Sequence, residues 1–462
     1  MEERLPWEDG LHEECGVVGC YGVEQAARQA RMALLCLQHR GQQGCGIAAL
    51  GADGTIRLHK DAGLVREVFG EEELSALPGT ACIGHVRYPT TEVGGSENLQ
   101  PFKMTGRTGS FALAHNGNIV NAGILRARIE AQGHLLTSTS DSELFALLVG
   151  TGGQGWTENI LSATHQLDGA FSTVILTPDA LYACRDRYGL RPLSVGRLGD
   201  GYVVVSETCA LPFIGASFVR DVEPGELVRI DADGLRSFRH SRPAGSRMCA
   251  MEYIYFARPD SDIGGCGVHG FRKRSGALLW AEHPADADLV MCVPESGMSA
   301  AIGYAEAGGL PLEMGLLKNM YVARTFIQPT QSLRNLGVRM KLSPVQSIVK
   351  GRRVVVIDDS IVRGTTSRQI VQLLRSAGAR EIHMRIASPV YAWPCFYGID
   401  TGTRDQLIGA RLDEAAICAY IGADSLHYLS VEALSEAAGG RGLCTACFDG
   451  RYPTDLYGRE EP

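Results

Sequence analysis

No run of 18 apolar residues occurs in this 462-residue chain, so no membrane-spanning helix is expected. No basic stripe is present either. Lys and Arg total 44 against 52 Asp and Glu, a net charge of −8, which argues against non-specific binding to nucleic acid. The opening residues, MEERLPWEDGLHEE, lack the apolar segment of a secretory signal. Internal repeats and low-complexity segments are absent. The 14 cysteines are too dilute for a small disulfide scaffold, so thiol chemistry in a reducing cytoplasm is expected. What is present is an ordinary globular composition, 45% hydrophobic and 21% charged, with 56 glycines. Length alone admits two or three domains.

The N-terminal half is Gly-rich and carries short β-type runs at 15–21, 173–176 and 202–205. Helical patterns lie between them, at 25–38 and 142–149. The turn-rich SRPAGS at 241–246 reads as a domain boundary. Beyond it the pattern changes. Residues 288–293 (DLVMCV) and 353–357 (RVVVI) read as buried strands. A helix follows in which Ile370, Leu373, Leu374 and Ala377 share a face, Gly378 stops it, and 381–386 resumes a strand. This is a βαβ unit and predicts a parallel sheet, with ligands bound outside the carboxyl ends of its strands.

The first chemical feature is GLHEECGVVGCYG around Cys15. A lone cysteine there is more often a small buried hydrophobe. The sharper reading removes Met1–Glu14 and makes Cys15 the first residue. Its α-amino group, with a pKa of about 8, could then serve as base for its own thiol. Four further segments follow in order: LQHRGQQGCGIA, IGHVRYPTT, LAHNGNIVN and TSTSDSELF. Together the five resemble the class II glutamine amidotransferase domain. That resemblance implies an N-terminal-nucleophile (Ntn) αββα sandwich. It implies Cys15 as nucleophile, Asn116 and Gly117 as the oxyanion hole, Arg87 on the α-carboxylate of glutamine and Asp141 on its α-amino group. The residue types suit those tasks, since a guanidinium forks a carboxylate and neutral donors hold a transient oxyanion.

The second feature is VVVIDDSIVRGTTS at 354–367. A strand delivers two carboxylates, and a loop with Arg363, Gly364, Thr365 and Thr366 opens a helix. Backbone N–H groups at a helix N-terminus suit phosphate, and the carboxylates suit ribose hydroxyls or Mg²⁺. The pattern is not a Walker A loop. It resembles the phosphoribosyl pyrophosphate motif of type I phosphoribosyltransferases, which implies binding by Asp358, Asp359, Ser360, Arg363, Gly364, Thr365 and Thr366. VPESGMSAAIGYA resembles the family's pyrophosphate-side loop and implies Ser296 beside Mg²⁺, together with Asp358 and Asp359. GLLKNMYVARTFIQPTQSLRNLGVRMKL resembles the closing loop. Lys318, Arg324, Arg334, Arg339 and Lys341 are its candidate pyrophosphate partners, Arg324 and Lys341 foremost, and Met320 departs from the family pattern.

A glutaminase of this kind joined to such a transferase is similar to the glutamine phosphoribosylpyrophosphate amidotransferase family. Cys444-T-A-Cys447, with Cys249 and Cys395, matches the [4Fe–4S] ligands of its iron–sulfur branch. Zinc on the same thiolates is the chemical alternative. The other nine cysteines read as core. The expected organisation is a removable leader at 1–14, a glutaminase domain at 15–243, and a phosphoribosyltransferase domain with a cluster-binding segment at 244–462. The resemblance also implies glutamine and phosphoribosyl pyrophosphate as substrates, one Mg²⁺ per subunit, inhibition by purine nucleotides and a homotetramer. Two other readings stand against it. A different glutamine amidotransferase would not carry the D-D-S-I-V-R-G-T-T segment. A non-catalytic purine sensor would not need Cys15, Arg87, Asn116 and Asp141 together.

Overall fold

The computed structural model describes residues 15–88, 96–242, 244–319 and 342–458. Its N-terminal half is built from β1 (Gly16–Tyr21), β2 (Gly44–Leu50), β3 (Ile56–Ala62), β4 (Ala81–Arg87), β5 (Phe102–Gly106) and β6 (Gly109–Ile119). It continues with β7 (Gly169–Leu176), β8 (Leu181–Arg185), β9 (Ser194–Leu198), β10 (Gly201–Val205), β11 (Ser217–Asp221), β12 (Glu226–Asp231) and β13 (Gly234–Arg239). One sheet has the order β11-β9-β10-β1-β4-β2-β3, the other β13-β12-β8-β7-β6-β5, and both are antiparallel.

Strand alternation explains the layering. Val17 points between the sheets, into a core with Ile83, Ala114 and Val174. Its neighbours Val18 and Cys20 point outward, to the helix Ala26–Cys36. The second sheet turns Phe111, Phe171 and Tyr182 outward, and the helices Asp141–Thr151 and Trp156–Thr164 cover them. The result is helix, sheet, sheet, helix, as the Ntn resemblance implied.

The C-terminal half carries four parallel strands in the order β14 (Leu289–Cys292), β15 (Arg353–Asp358), β16 (Glu381–Ile386) and β17 (Ser425–Tyr428). Helices Val268–Glu282 and Met298–Gly308 pack one face, with Val355 and Ile357. Helices Thr365–Ser376 and Glu414–Ile421 pack the other, with Val354 and Val356. A parallel sheet covered on both faces explains the unbroken apolar run of β15. From the expected face, Ile370, Leu374 and Ala377 are buried and Leu373 packs half-buried against the same core, which also takes in Val371. Of the nine cysteines expected in the core, eight are buried and Cys418 is half-buried against the carbonyl of Ala423.

Candidate active sites and cluster-binding cysteines

Cys15 stands at the start of β1, beside the end of β4, where Gly16 pairs with Val86. Its thiol points at the carbonyl of Tyr88, 3.7 Å away. Arg87, the last residue of β4, is buried and within electrostatic reach of Cys15 and Glu97. Gly41 makes that close packing possible, because a Cβ there would lie 2.6 Å from the Arg87 carbonyl carbon.

The expected oxyanion residues sit near the end of β6. Asn116 is buried and its side-chain NH₂ has no hydrogen-bond partner among the described residues. A buried donor left unpaired costs about 1–3 kcal/mol, so it marks a place where an acceptor belongs. Gly117 follows with φ 144°, and a Cβ there would lie 2.0 Å from the carbonyl oxygen of Ala170, so only glycine fits. Asp141 opens its helix and accepts the Ile119 backbone N–H at 2.8 Å, which ties it to the same strand end. His85 of β4 reaches across to the carbonyl of His115 on β6 at 3.2 Å, joining the Cys15–Arg87 edge to the Asn116–Asp141 edge.

At the carboxyl end of β15, Asp358 and Asp359 are both buried. Burial and their mutual repulsion push the Asp358 carboxyl well above its usual range. Burial pushes Asp359 up too, opposed by hydrogen bonds from Ser296 and Ser360. So the structure brings Ser296 to Asp359, as expected. Gly364, with φ 81°, turns the chain into the helix Thr365–Ser376, which places Thr365 and Thr366 in its first turn. Arg363 reaches Gln406 at 3.1 Å. Lys318 lies on a strand paired with Leu342–Pro344. Met320, Arg324, Arg334, Arg339 and Lys341 lie outside the described residues, as does the expected leader.

Cys249, Cys395, Cys444 and Cys447 line one small pocket, with Leu190, Ile399, Ala446 and Tyr452. Cys249 pairs with Cys444 across two short parallel strands, Met248–Cys249 and Leu443–Cys444. Burial pushes the Cys444 thiol up to about 12, and burial and the three other thiols push Cys447 well above its usual range. Tyr391 is fully buried beside Cys447, Cys395 and Cys249, with no well-aligned hydrogen bond for its hydroxyl. Among the described residues no three His, Cys, Asp or Glu side chains converge tightly enough for one metal ion. Four thiols on one pocket are soft ligands of the kind that hold an iron–sulfur cluster or zinc.

Comparison with known proteins places the chain in a family. A glutamine amidotransferase domain model matches residues 85–212, and a phosphoribosyl transferase domain model matches residues 305–390. The amidophosphoribosyltransferase of Bacillus subtilis is 50% identical over 97% of this chain and 96% of its own length. That of Synechococcus elongatus is 50% identical over 96% of this chain and 92% of its own. The chain belongs to the amidophosphoribosyltransferase family. A solved B. subtilis glutamine phosphoribosylpyrophosphate amidotransferase, complexed with ADP and GMP, superposes with a TM-score of 0.92. It is 49% identical, over 96% of this chain and 98% of that one. The reaction follows from membership: amidophosphoribosyltransferases take ammonia from glutamine to C1 of phosphoribosyl pyrophosphate. The products are 5-phosphoribosylamine, glutamate and pyrophosphate, at the first committed step of purine synthesis.

Sequence reading missed one set of residues. Arg40, fully buried, donates to Glu207 at 2.5 Å and to Glu252 at 2.7 and 3.0 Å. His39 meets Glu207 at 2.7 Å, and Arg191 reaches Glu252 at 3.5 Å and the Tyr397 carbonyl at 2.6 Å. Burial works against the charge on both glutamates. His39 and Arg40 outweigh it at Glu207, and Arg40 and Arg191 at Glu252, so both carboxyls are held below their usual range. Arg40 falls in a segment quoted above and Glu252 in none, and no local pattern pairs them.

Proposed function

We propose that Cys15 is the nucleophile of the glutaminase half-reaction and that Asn116 and Gly117 receive the oxyanion. The observation that carries this reading is the unpartnered, buried amide of Asn116 on the strand end that His85 ties to the Cys15 edge. With Met1–Glu14 removed, the amine of Cys15 takes the thiol proton as sulfur attacks the glutamine amide carbon. The oxyanion collapses, ammonia leaves, and water hydrolyses the thioester to glutamate. Arg87 pairs with the α-carboxylate of glutamine. Asp141 keeps one oxygen on Ile119 and offers the other to the α-amino group.

In the second site Asp358 and Asp359 hold ribose hydroxyls, and Ser360, Arg363, Gly364, Thr365 and Thr366 hold the 5′-phosphate. Arg324 and Lys341 are assigned to the pyrophosphate. Asp358, Asp359 and Ser296 are the residues that hold one Mg²⁺ per subunit. Two adjacent carboxyls raised by burial, Asp358 also by Asp359, fit a divalent cation, and Mg²⁺ needs only one or two protein carboxylates. When bound, it neutralises charge on the leaving pyrophosphate. Excluding water matters at both centres, since water competes for the thioester and for C1.

Cys249, Cys395, Cys444 and Cys447 hold a [4Fe–4S] cluster that ties the C-terminal segment to the rest of the chain. The domains divide at 243/244, a reading supported by the two large antiparallel sheets lying within 16–239 and the four-stranded parallel sheet within 289–428. Inhibition by purine nucleotides, a homotetramer and a cytoplasmic setting complete the reading. Among the described residues no helix is long and apolar enough to cross a membrane. The test is release of pyrophosphate by purified enzyme. Release that requires glutamine, phosphoribosyl pyrophosphate and Mg²⁺ together is expected. Release without phosphoribosyl pyrophosphate, or none with all three, contradicts the scheme.

A further inference from the structure

Two cysteines outside both sites are placed unlike the other core thiols. Cys36 ends the helix Ala26–Cys36, and Cys209 precedes the short helix Ala210–Phe213. Their sulfurs lie 3.9 Å apart, and the Cys36 thiol also faces the Cys209 carbonyl at 3.5 Å. Arg258, whose side chain is partly exposed, reaches from the segment after Glu252 to the Cys36 sulfur at 3.5 Å. Closing the sulfurs to bonding distance takes a movement of about 2 Å.

A second pair provides the contrast. Cys20 and Cys82 face each other across β1 and β4, both with zero exposure, and burial pushes the Cys82 thiol well above its usual range. Cys36 goes the other way. The hydrogen bond with Cys209, then Arg258 and His39, draws its thiol down to about 7. Cys209 is pushed up by the same hydrogen bond, by burial and by Glu207. Arg258 beside the Cys36 sulfur thus favours its thiolate, while burial and Glu207 favour keeping the proton on Cys209.

We propose that Cys36 and Cys209 are a peroxide-oxidisable dithiol that forms a disulfide and lowers glutaminase activity. The Cys36 thiolate attacks one oxygen of hydrogen peroxide, the O–O bond breaks, and hydroxide leaves as water after taking a proton. Cys36 is then a sulfenic acid. The Cys209 sulfur attacks it, the S–S bond forms, the S–O bond breaks, and the hydroxide leaves as water with the Cys209 proton. Two thiols are oxidised, one peroxide is reduced, and two waters form.

The link to activity is short. Cys36 stands just before the turn Gln38–Arg40, and Cys209 stands two residues after Glu207, with its sulfur 3.7 Å from the Glu207 carboxylate. Arg40 and Glu207 hold each other, and Arg40 also holds the Cys15 carbonyl at 3.2 Å. Drawing the sulfurs together pulls on both supports of that contact. The consequence for rate rests on Cys15 being the nucleophile; formation of the disulfide does not.

The test uses the anaerobically purified enzyme, titrated with hydrogen peroxide, alkylated and mapped by mass spectrometry. A linked Cys36–Cys209 peptide that disappears with dithiothreitol is expected, while Cys20 and Cys82 stay reduced. Glutamate release falls at least fivefold in the linked fraction and recovers on reduction, and ammonia-dependent synthesis stays within twofold. Cys36→Ser and Cys209→Ser lose that reversible fall. Mapping of Cys15 and the visible spectrum separate the effect from oxidation of the nucleophile or of a cluster. No linked peptide at any dose, or a parallel fall in wild type and Cys36→Ser, overturns the proposal.

Discussion

The Nε–H of Arg40 donates to the carbonyl oxygen of Cys15 at 3.2 Å, while the same guanidinium forks the carboxylate of Glu252. A residue in the first half thus holds the candidate nucleophile and is itself held from the start of the second. Arg40→Ala leaves Glu252 buried without its main partner and Glu207 with His39 alone of the two. Breaking a buried pair this way costs about 3–5 kcal/mol. Urea unfolding monitored by circular dichroism is expected to show that loss, and glutamate release is expected to fall more than ammonia-dependent synthesis. An unchanged midpoint in urea would remove Arg40 from the account.

Asn116→Ala removes the orphan amide and little else. Deleting one oxyanion donor typically lowers kcat by about 10²–10³. Steady-state kinetics of glutamine hydrolysis should place the loss in kcat, with KM for glutamine changed only slightly. A loss confined to KM would make Asn116 a substrate-binding residue instead.

His85 is fully buried between the two sheets, and burial, then Arg87, draws its imidazole pKa down to about 3. Its folded value is thus depressed below the usual value of about 6.5. Between those limits the unfolded chain binds a proton that the folded chain refuses. Stability from this group is complete above about pH 6.5 and falls by about 1.4 kcal/mol per unit as pH drops below it. His85→Gln keeps a donor for the His115 carbonyl and should flatten this limb in urea unfolding between pH 6.5 and 5. Parallel slopes for the two proteins would show that His85 does not titrate as described.

The four thiols around one void make a prediction about metal content. Anaerobically purified protein should be brown, with about four iron atoms per chain and negligible zinc. Cys444→Ser should lose the colour and much of the resistance to heat. A colourless, iron-free enzyme with full activity and stability would contradict a cluster at this place.

How much of this was legible beforehand depended on range. The βαβ unit around Asp358 was readable because strand, carboxylates, Gly364 and helix follow each other within a few residues. The layers around Val17 and Val18 were implied by the family resemblance, and strand alternation accounts for them once the sheets are known. The face of Thr365–Ser376 was readable too, since Ile370, Leu374 and Ala377 are buried and Leu373 packs against the same core, with Val371 added to it. Pairs far apart in the chain left no local trace. Arg40 and Glu252 are 212 residues apart, and Cys36 and Cys209 are 173 apart. Neither pair has a periodicity or a spacing, so only the fold discloses them. Ser296 lay between, for resemblance suggested its place and the structure puts it on Asp359.

The central claim is that one chain carries two separable centres, with Cys15 serving only the first. Pyrophosphate release by Cys15→Ala, measured with glutamine and then with ammonium salts, tests this most directly. Loss of the glutamine-dependent rate with the ammonium-dependent rate retained is the expected result. Loss of both in a folded protein, or full retention with glutamine, would contradict it.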